Sequence, residues 1–179
     1  MNMKLSGRCK HKLLMVSTGG TIDKAYNEAD GRLENRISLI RKNMHQFLRL
    51  PSTEIDWMTL MHKDSLAMDT VDRDVIASCI HKNVPKYSGI VVLHGTDTVD
   101  LTVEQTSQRF PLPYEIPVVF TGAMKPYGFF DSDAVQNVTE AVLAAKFLPG
   151  GLYLSFHSQI FEAGRFKKNR VKKTFEYLS

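Results

Sequence analysis

Short aliphatic and β-branched runs alternate along this chain with longer windows in which apolar residues recur at helical spacing. Residues 13–17, 90–93 and 152–156 are short runs, apolar but for Ser17 and Ser155, of the kind that sheets bury on both faces. Residues 54–61 and 118–121, the latter opened by Pro117, complete a set of about five strands. Between them, Ser38 can cap a helix that runs to Leu50 and stops at Pro51. A second helix starts at Asp69 or Thr70, with Val71, Val75, Ile76, Cys79 and Ile80 on one face. A third covers residues 99–110. A fourth starts at Asp131 or Ser132, carries Val135, Val138, Val142 and Leu143, and closes at Pro149-Gly150-Gly151. The polar stretch 23–35, broken by Gly31, reads as a loop, and loops of that length are usually functional or disordered. Strands separated by helices predict an α/β fold: a doubly wound, mainly parallel sheet of about five strands in flavodoxin-like order, with helices on both faces.

At 179 residues the chain is long enough to bury one proper core, and 43% hydrophobic with 23% charged residues is ordinary for a globular domain. The net charge of +4 is concentrated at the two ends. Lys4, Arg8, Lys10 and Lys12 precede the first strand; Arg165, Lys167, Lys168, Arg170, Lys172 and Lys173 crowd the last fifteen residues. This reads as a basic extension at 1–12, one domain at 13–170 and a tail at 171–179. Solvated ends outweigh nucleic-acid contact, because no RNP-like aromatic pattern or zinc-type spacing accompanies the charge. Cys9 and Cys79 make no disulfide framework. The opening MNMKLSGRCKHK has charge but no apolar h-region, and no apolar stretch approaches the ~18 residues that span a bilayer. A cytoplasmic protein with no membrane segment is expected.

Two polar motifs change the picture. Thr18-Gly19-Gly20-Thr21 and His94-Gly95-Thr96-Asp97-Thr98 each follow a strand, where open α/β sheets bind their ligands. A hydroxyl flanked by uncovered backbone N–H groups can act as a nucleophile beside its own oxyanion donors. Thr21 and Thr96 therefore point to acyl transfer or amide hydrolysis, although a Gly-Gly turn is also an ordinary strand exit. Asp97 can cap the helix that starts near Val99, worth about 1 kcal/mol, or hold a substrate ammonium, or orient a water beside Thr96. His94 reads equally as packed or catalytic. Asp64-Ser65 and Thr121-Gly122-Ala123-Met124 also follow strands, so all four strand ends would converge on one crevice. There the Ser65 hydroxyl suits a carboxylate and the Ala123 carbonyl an amide. Lys168, in a basic run, matters only if the segment folds back to Thr96 and Asp97, where a desolvated amine can activate a hydroxyl. No metal-ligand spacing and no nucleotide fingerprint is present, so no metal and no cofactor is expected.

Taken together, TGGTI at 18–22, HGTDT at 94–98 and TGAMKP at 121–126, with Asp133 and Asn137 downstream, resemble the bacterial-type asparaginase/glutaminase family. The resemblance covers roughly residues 13–170 and only the amino-terminal domain of the usual two-domain member. It implies Thr21 as the nucleophile toward a side-chain amide. Thr96, Asp97 and Lys168 would be a second triad that supports the threonine and a water, and Tyr26 a mobile tyrosine that activates Thr21. Ser65, Gly20, Gly95 and Ala123 would contact the substrate. The chain departs from the family pattern at Leu66-Ala67-Met68, where the family has a polar residue and an aspartate before the methionine. Losing that polar partner is expected to lower asparagine affinity by more than about tenfold. The family also completes its site with an acidic residue from a neighbouring subunit, and no residue of this sequence stands in for it.

The resulting expectation is an amide hydrolase that releases ammonia from asparagine or a related small amide. It would be a homo-oligomer whose neighbours cover the site, with residues 23–35 as a lid bringing Tyr26 over Thr21. A non-catalytic amino-acid or metabolite-binding module, and a subunit of a larger amidohydrolase, stay open as alternatives.

Overall fold

The computed structural model describes residues 10–35, 39–110 and 113–178. The chain opens with β1 (His11–Gly19), a 3-10 turn (Thr21–Asp23) and a hairpin of β2 (Lys24–Asn27) and β3 (Arg32–Asn35). Helix α1 (Leu39–Phe47), β4 (Thr53–Lys63), a second 3-10 turn (Ser65–Ala67) and α2 (Thr70–Asn83) follow. Next come β5 (Gly89–Leu93), α3 (Val99–Arg109), β6 (Pro117–Thr121), α4 (Ala134–Phe147) and β7 (Gly151–Phe156). The short strands β8 (Gln159–Glu162), β9 (Phe166–Asn169) and β10 (Thr174–Tyr177) close the described chain.

Six strands form one sheet in the order β4-β1-β5-β6-β7-β8. The first five are parallel, and β8 returns antiparallel to β7. Among the parallel strands the first in sequence lies between the second and the third, the flavodoxin-like order, with its switch point between β1 and β5. Side chains of period two divide the core. Leu14, Val16, Ile90, Val92, Val118 and Phe120 face α2 and α3, through Ile76, Ile80, Val99 and Val103. Leu13, Met15, Val91, Leu93 and Val119 face α1 and α4, through Ile40, Met44, Val138 and Val142. Each large side chain fully buried this way contributes about 1.5–3 kcal/mol. Asp69 starts α2 with a capping box, exchanging hydrogen bonds with Asp72 in both directions.

The structure also departs from the sequence reading. Residues 24–35 are a paired hairpin instead of an irregular loop. Helix α1 ends at Phe47, and the Ser38 cap lies outside the described residues. Helix α4 has Asp133 at its N-cap position without a side-chain cap bond, while the Ser132 hydroxyl accepts from the Ala134 N–H at 3.1 Å. On α2, Val71 is 69% exposed and Val75 is exposed as well, while Arg73, Ile76, Ala77 and Ile80 turn inward. The cause is position: Val71 and Val75 line an open groove between α2 and the edge strand β4, with Met58 and Leu60 on its other wall. Leu143 is likewise exposed on α4, whose buried face runs through Ala134, Asn137, Val138, Ala141, Val142 and Ala145. Within the 171–179 segment read as a tail, residues 174–177 pair with β9, and Phe175 is buried against Phe156 and Phe166. No described helix is long and apolar enough to cross a membrane.

Candidate active site

The exits of β1 and β5 touch. Thr18 donates its hydroxyl to the Leu93 carbonyl at 2.9 Å, which ties the two strand ends together. Gly20 has φ 83°, and a Cβ there would lie 2.4 Å from the Cα of Gly95. Only glycine fits such a backbone at such a separation. A Cβ on Gly95 would in turn lie 2.5 Å from Ser65 Oγ. The three segments that carry Thr21, Thr96 and Ser65 are therefore stacked without intervening side chains. Thr21 opens its 3-10 turn, which is braced by a buried hydrogen bond from the Ser17 hydroxyl to the Asp23 carboxylate. Among the described residues the Thr21 hydroxyl has no hydrogen-bond partner. Tyr26, on β2, is 60% exposed.

The β5 side is held more firmly. His94 is buried; burial pushes its pKa down to about 4, against a smaller opposing effect from its bond to Gly95. A carbonyl only accepts, so Nδ1 carries the proton given to Gly95 O at 2.8 Å, and Nε2 faces the Thr102 hydroxyl at 2.9 Å. This is a packed, neutral histidine. Thr96 is nearly buried, with Gly122 and Met124 of the β6 exit against it. Lys168, on β9, reaches back across the sheet end: Nζ is 2.6 Å from Thr96 Oγ1 and 3.1 Å from Asp97 Oδ1. The Asp97 carboxylate does not cap α3, whose N-cap Thr98 makes no side-chain cap bond either. It is held by Lys168 and, at 2.8 Å, by Arg170. Beside it, Asp64 is paired with Lys24 at 2.7 Å and gives a hydrogen bond acceptor to the Leu66 N–H. The Lys24 bond, then the Leu66 N–H and the charges of Lys24 and Lys168, hold the Asp64 carboxyl below its usual range.

Ala123 is fully buried in the β6 exit loop, and that loop is fixed by Asp133. Its carboxylate accepts from the backbone N–H of Met124 and Lys125 at 3.0 and 3.1 Å, and from Asn137 Nδ2 and His157 Nε2 at 2.9 Å each. His157 Nδ1 meets the Thr174 hydroxyl at 2.9 Å. A carboxylate can only accept, so His157 carries a proton on Nε2. The loop of Ala123 and the β9–β10 hairpin of Lys168 are thus joined through one histidine. Among the described residues no group of three or more His, Cys, Asp or Glu could hold a metal ion.

A family model described as Asparaginase, N-terminal, matches residues 12–176. The chain belongs to the asparaginase family. It is 31% identical over 160 residues to an L-asparaginase of Thermococcus kodakarensis, covering 88% of this chain and 47% of that protein. It is also 31% identical over 168 residues to L-asparaginase 1 of Escherichia coli K12, covering 89% of this chain and 48% of that protein. The solved thermostable L-asparaginase from Thermococcus kodakarensis superposes with a TM-score of 0.82 at 30% identity, over 93% of this chain and 51% of that one. The chain spans about half the length of the curated relatives it matches.

Within this asparaginase-family domain, sequence reasoning missed Arg170, His157, Thr174 and the Lys24–Asp64 pair. Arg170 was hidden in a basic run that reads as solvated. Thr174 lay in the supposed tail. His157 had one available signal: it follows the last apolar strand, as the other site motifs follow theirs. Its φ of 48°, followed by 61° at Ser158, turns the chain sharply into β8.

Proposed function

We propose that this chain hydrolyses a small carboxamide to a carboxylate and ammonia, with Thr21 as nucleophile. The Thr21 oxygen attacks the amide carbon, and backbone N–H groups at the glycine-lined strand ends stabilise the oxyanion. The amide nitrogen takes the proton given up by the Thr21 hydroxyl and leaves as ammonia, and a threonyl ester stays behind. Water then attacks that ester, assisted by Thr96 and Lys168. The proton released passes through the Thr96 hydroxyl to the lysine amine, and Asp97 stabilises the ammonium that results. The carboxylate departs, and Thr21 regains its hydroxyl. Ser65 and the Ala123 carbonyl orient the substrate, Tyr26 closes over Thr21, and a neighbouring copy in a homo-oligomer covers the open side.

The observation that carries this reading is the 2.6 Å contact between Lys168 Nζ and Thr96 Oγ1, with the same amine on Asp97. A basic side chain drawn out of a charged run onto a nearly buried hydroxyl is the arrangement an activated hydroxyl needs. A second reading, a binding module without turnover, draws on the Thr21 hydroxyl, which has no base beside it among the described residues. Ammonia release from a panel of small carboxamides by the wild type and by Thr21→Ala decides between them. The proposal expects release that Thr21→Ala abolishes; binding without release supports the module.

A further inference from the structure

Taking amide hydrolysis by this chain as the starting point, we propose that His157 is a positioning residue. It holds the β9–β10 hairpin, and with it the Lys168 amine, in fixed relation to the Ala123 loop. The turn it occupies is the first sign. His157 and Ser158 form the two-residue connection between β7 and β8, whose ladder ends at the pair Phe156 and Gln159. Both residues have positive φ, 48° and 61°. Asn-Gly suits such a turn, and a side chain of histidine's size is strained in it. Strain kept in this way points to a use for the side chain that carries it.

His157 is tied at three atoms. Its backbone N–H donates to Asn137 Oδ1 at 3.1 Å, and Asn137 Nδ2 donates to the Gly122 carbonyl at 2.9 Å. Nε2 donates to Asp133, the carboxylate that also receives the N–H groups of Met124 and Lys125. One side of the residue therefore holds the β6 exit loop. On the other side Nδ1 meets the Thr174 hydroxyl at 2.9 Å. Thr174 lies opposite Asn169 in the hairpin, and the next residue, Phe175, opposite Lys168. Phe175 packs on Phe156 with 5.0 Å between ring centroids. Apolar packing of this kind is non-directional, whereas a hydrogen bond fixes distance and angle. Lys168 Nζ must stay 2.6 Å from Thr96 Oγ1 at the end of a long side chain, so a small shift of β9 is felt there.

His157→Asn, Thr174→Val and the double variant test this. Asparagine suits the positive φ but is too short to bridge, and valine removes only the hydroxyl partner. Rapid-quench experiments with a carboxamide separate formation of the Thr21 ester from its hydrolysis. Each single variant should slow ester hydrolysis by about fivefold. The double variant should slow it no further, since one bridge is then broken at both ends. Ester formation should be unchanged, because Asp133 keeps its other donors and Thr21 attacks without Lys168. Unchanged hydrolysis, additive losses, or equal slowing of both steps overturn the proposal. Thermal melts accompany each variant; should His157→Asn unfold, Thr174→Val decides. In lysine-labelled protein the Cε resonance of Lys168, assigned by its loss in Lys168→Met, reads the surroundings of the amine without turnover. If no carboxamide is hydrolysed, the catalytic reading fails by itself. The positioning of Lys168 by His157 then stands if that resonance moves in both variants, and falls if it stays in place.

Discussion

Two threonines stand at neighbouring strand ends, and they are held very differently. Thr96 is nearly buried, bonded to Lys168 and packed on the β6 exit. Thr21 sits on a short 3-10 turn, its hydroxyl without a partner among the described residues and the hairpin after it exposing Tyr26. The contrast suits a division of labour. One hydroxyl is fixed in advance, as a group that handles protons in every turnover must be. The other, in the proposed mechanism, is the nucleophile that the Tyr26 hairpin covers once substrate is bound.

Lys168→Met tests the fixed side most severely. Turnover is expected to fall by about 10²–10⁴-fold, with little loss of stability because Lys168 bridges hydroxyl and carboxylate at the rim and fills no core. Turnover assays with thermal melts check both halves. Gly20→Ala attacks the contact between the two sides. A Cβ there meets Gly95 Cα at 2.4 Å in a left-handed backbone, so a loss of about 3 kcal/mol in urea unfolding is expected. Gly128→Ala is the control, since a Cβ there meets nothing within 4 Å, and it should change stability by less than about 0.5 kcal/mol.

His94 makes the rigidity of the β5 side visible in pH. Its pKa lies near 4 when folded, because burial disfavours the charged ring, against 6.5 for an ordinary solvated imidazole. The unfolded chain therefore takes up this proton first as pH falls. The stability in question is whole above pH 6.5 and is lost progressively down to about pH 4, on the order of 3 kcal/mol in all. Urea unfolding at pH 7 and at pH 4.5 measures it, and a His94→Gln variant should show a shallower slope. Tyr26→Phe, on the Thr21 side, is the mildest change: about a tenfold loss in turnover with stability unmoved, since the ring is 60% exposed.

The parts of the molecule legible in the sequence were those where one local rule sufficed. Apolar runs fixed by burial on both faces located β1, β5, β6 and β7, and the glycines after the first three lie where the strand exits pack against one another. Residues whose role depends on long-range return were not legible. Lys168 could be read only conditionally, because nothing near it in the chain announces that β9 folds back onto Asp97. Arg170 and Thr174 share that hairpin and were lost with it. Val71 and Val75 misled for a related reason: helical spacing reports an apolar stripe, but which flank is covered depends on α2 lying at the end of the sheet. The 24–35 hairpin was obscured because its strands are polar, with Tyr26 and Leu33 exposed, so no buried face produces alternation.

The division of labour is tested most directly by mass spectrometry of Lys168→Met quenched during reaction with a carboxamide that the wild type hydrolyses. If Thr21 attacks and Lys168 serves the water, this variant should release about one equivalent of ammonia in a burst. The acyl group should then be found as an ester on the peptide that contains Thr21. An unmodified Thr21 peptide alongside ammonia release, or the acyl group on Thr96, would contradict the account.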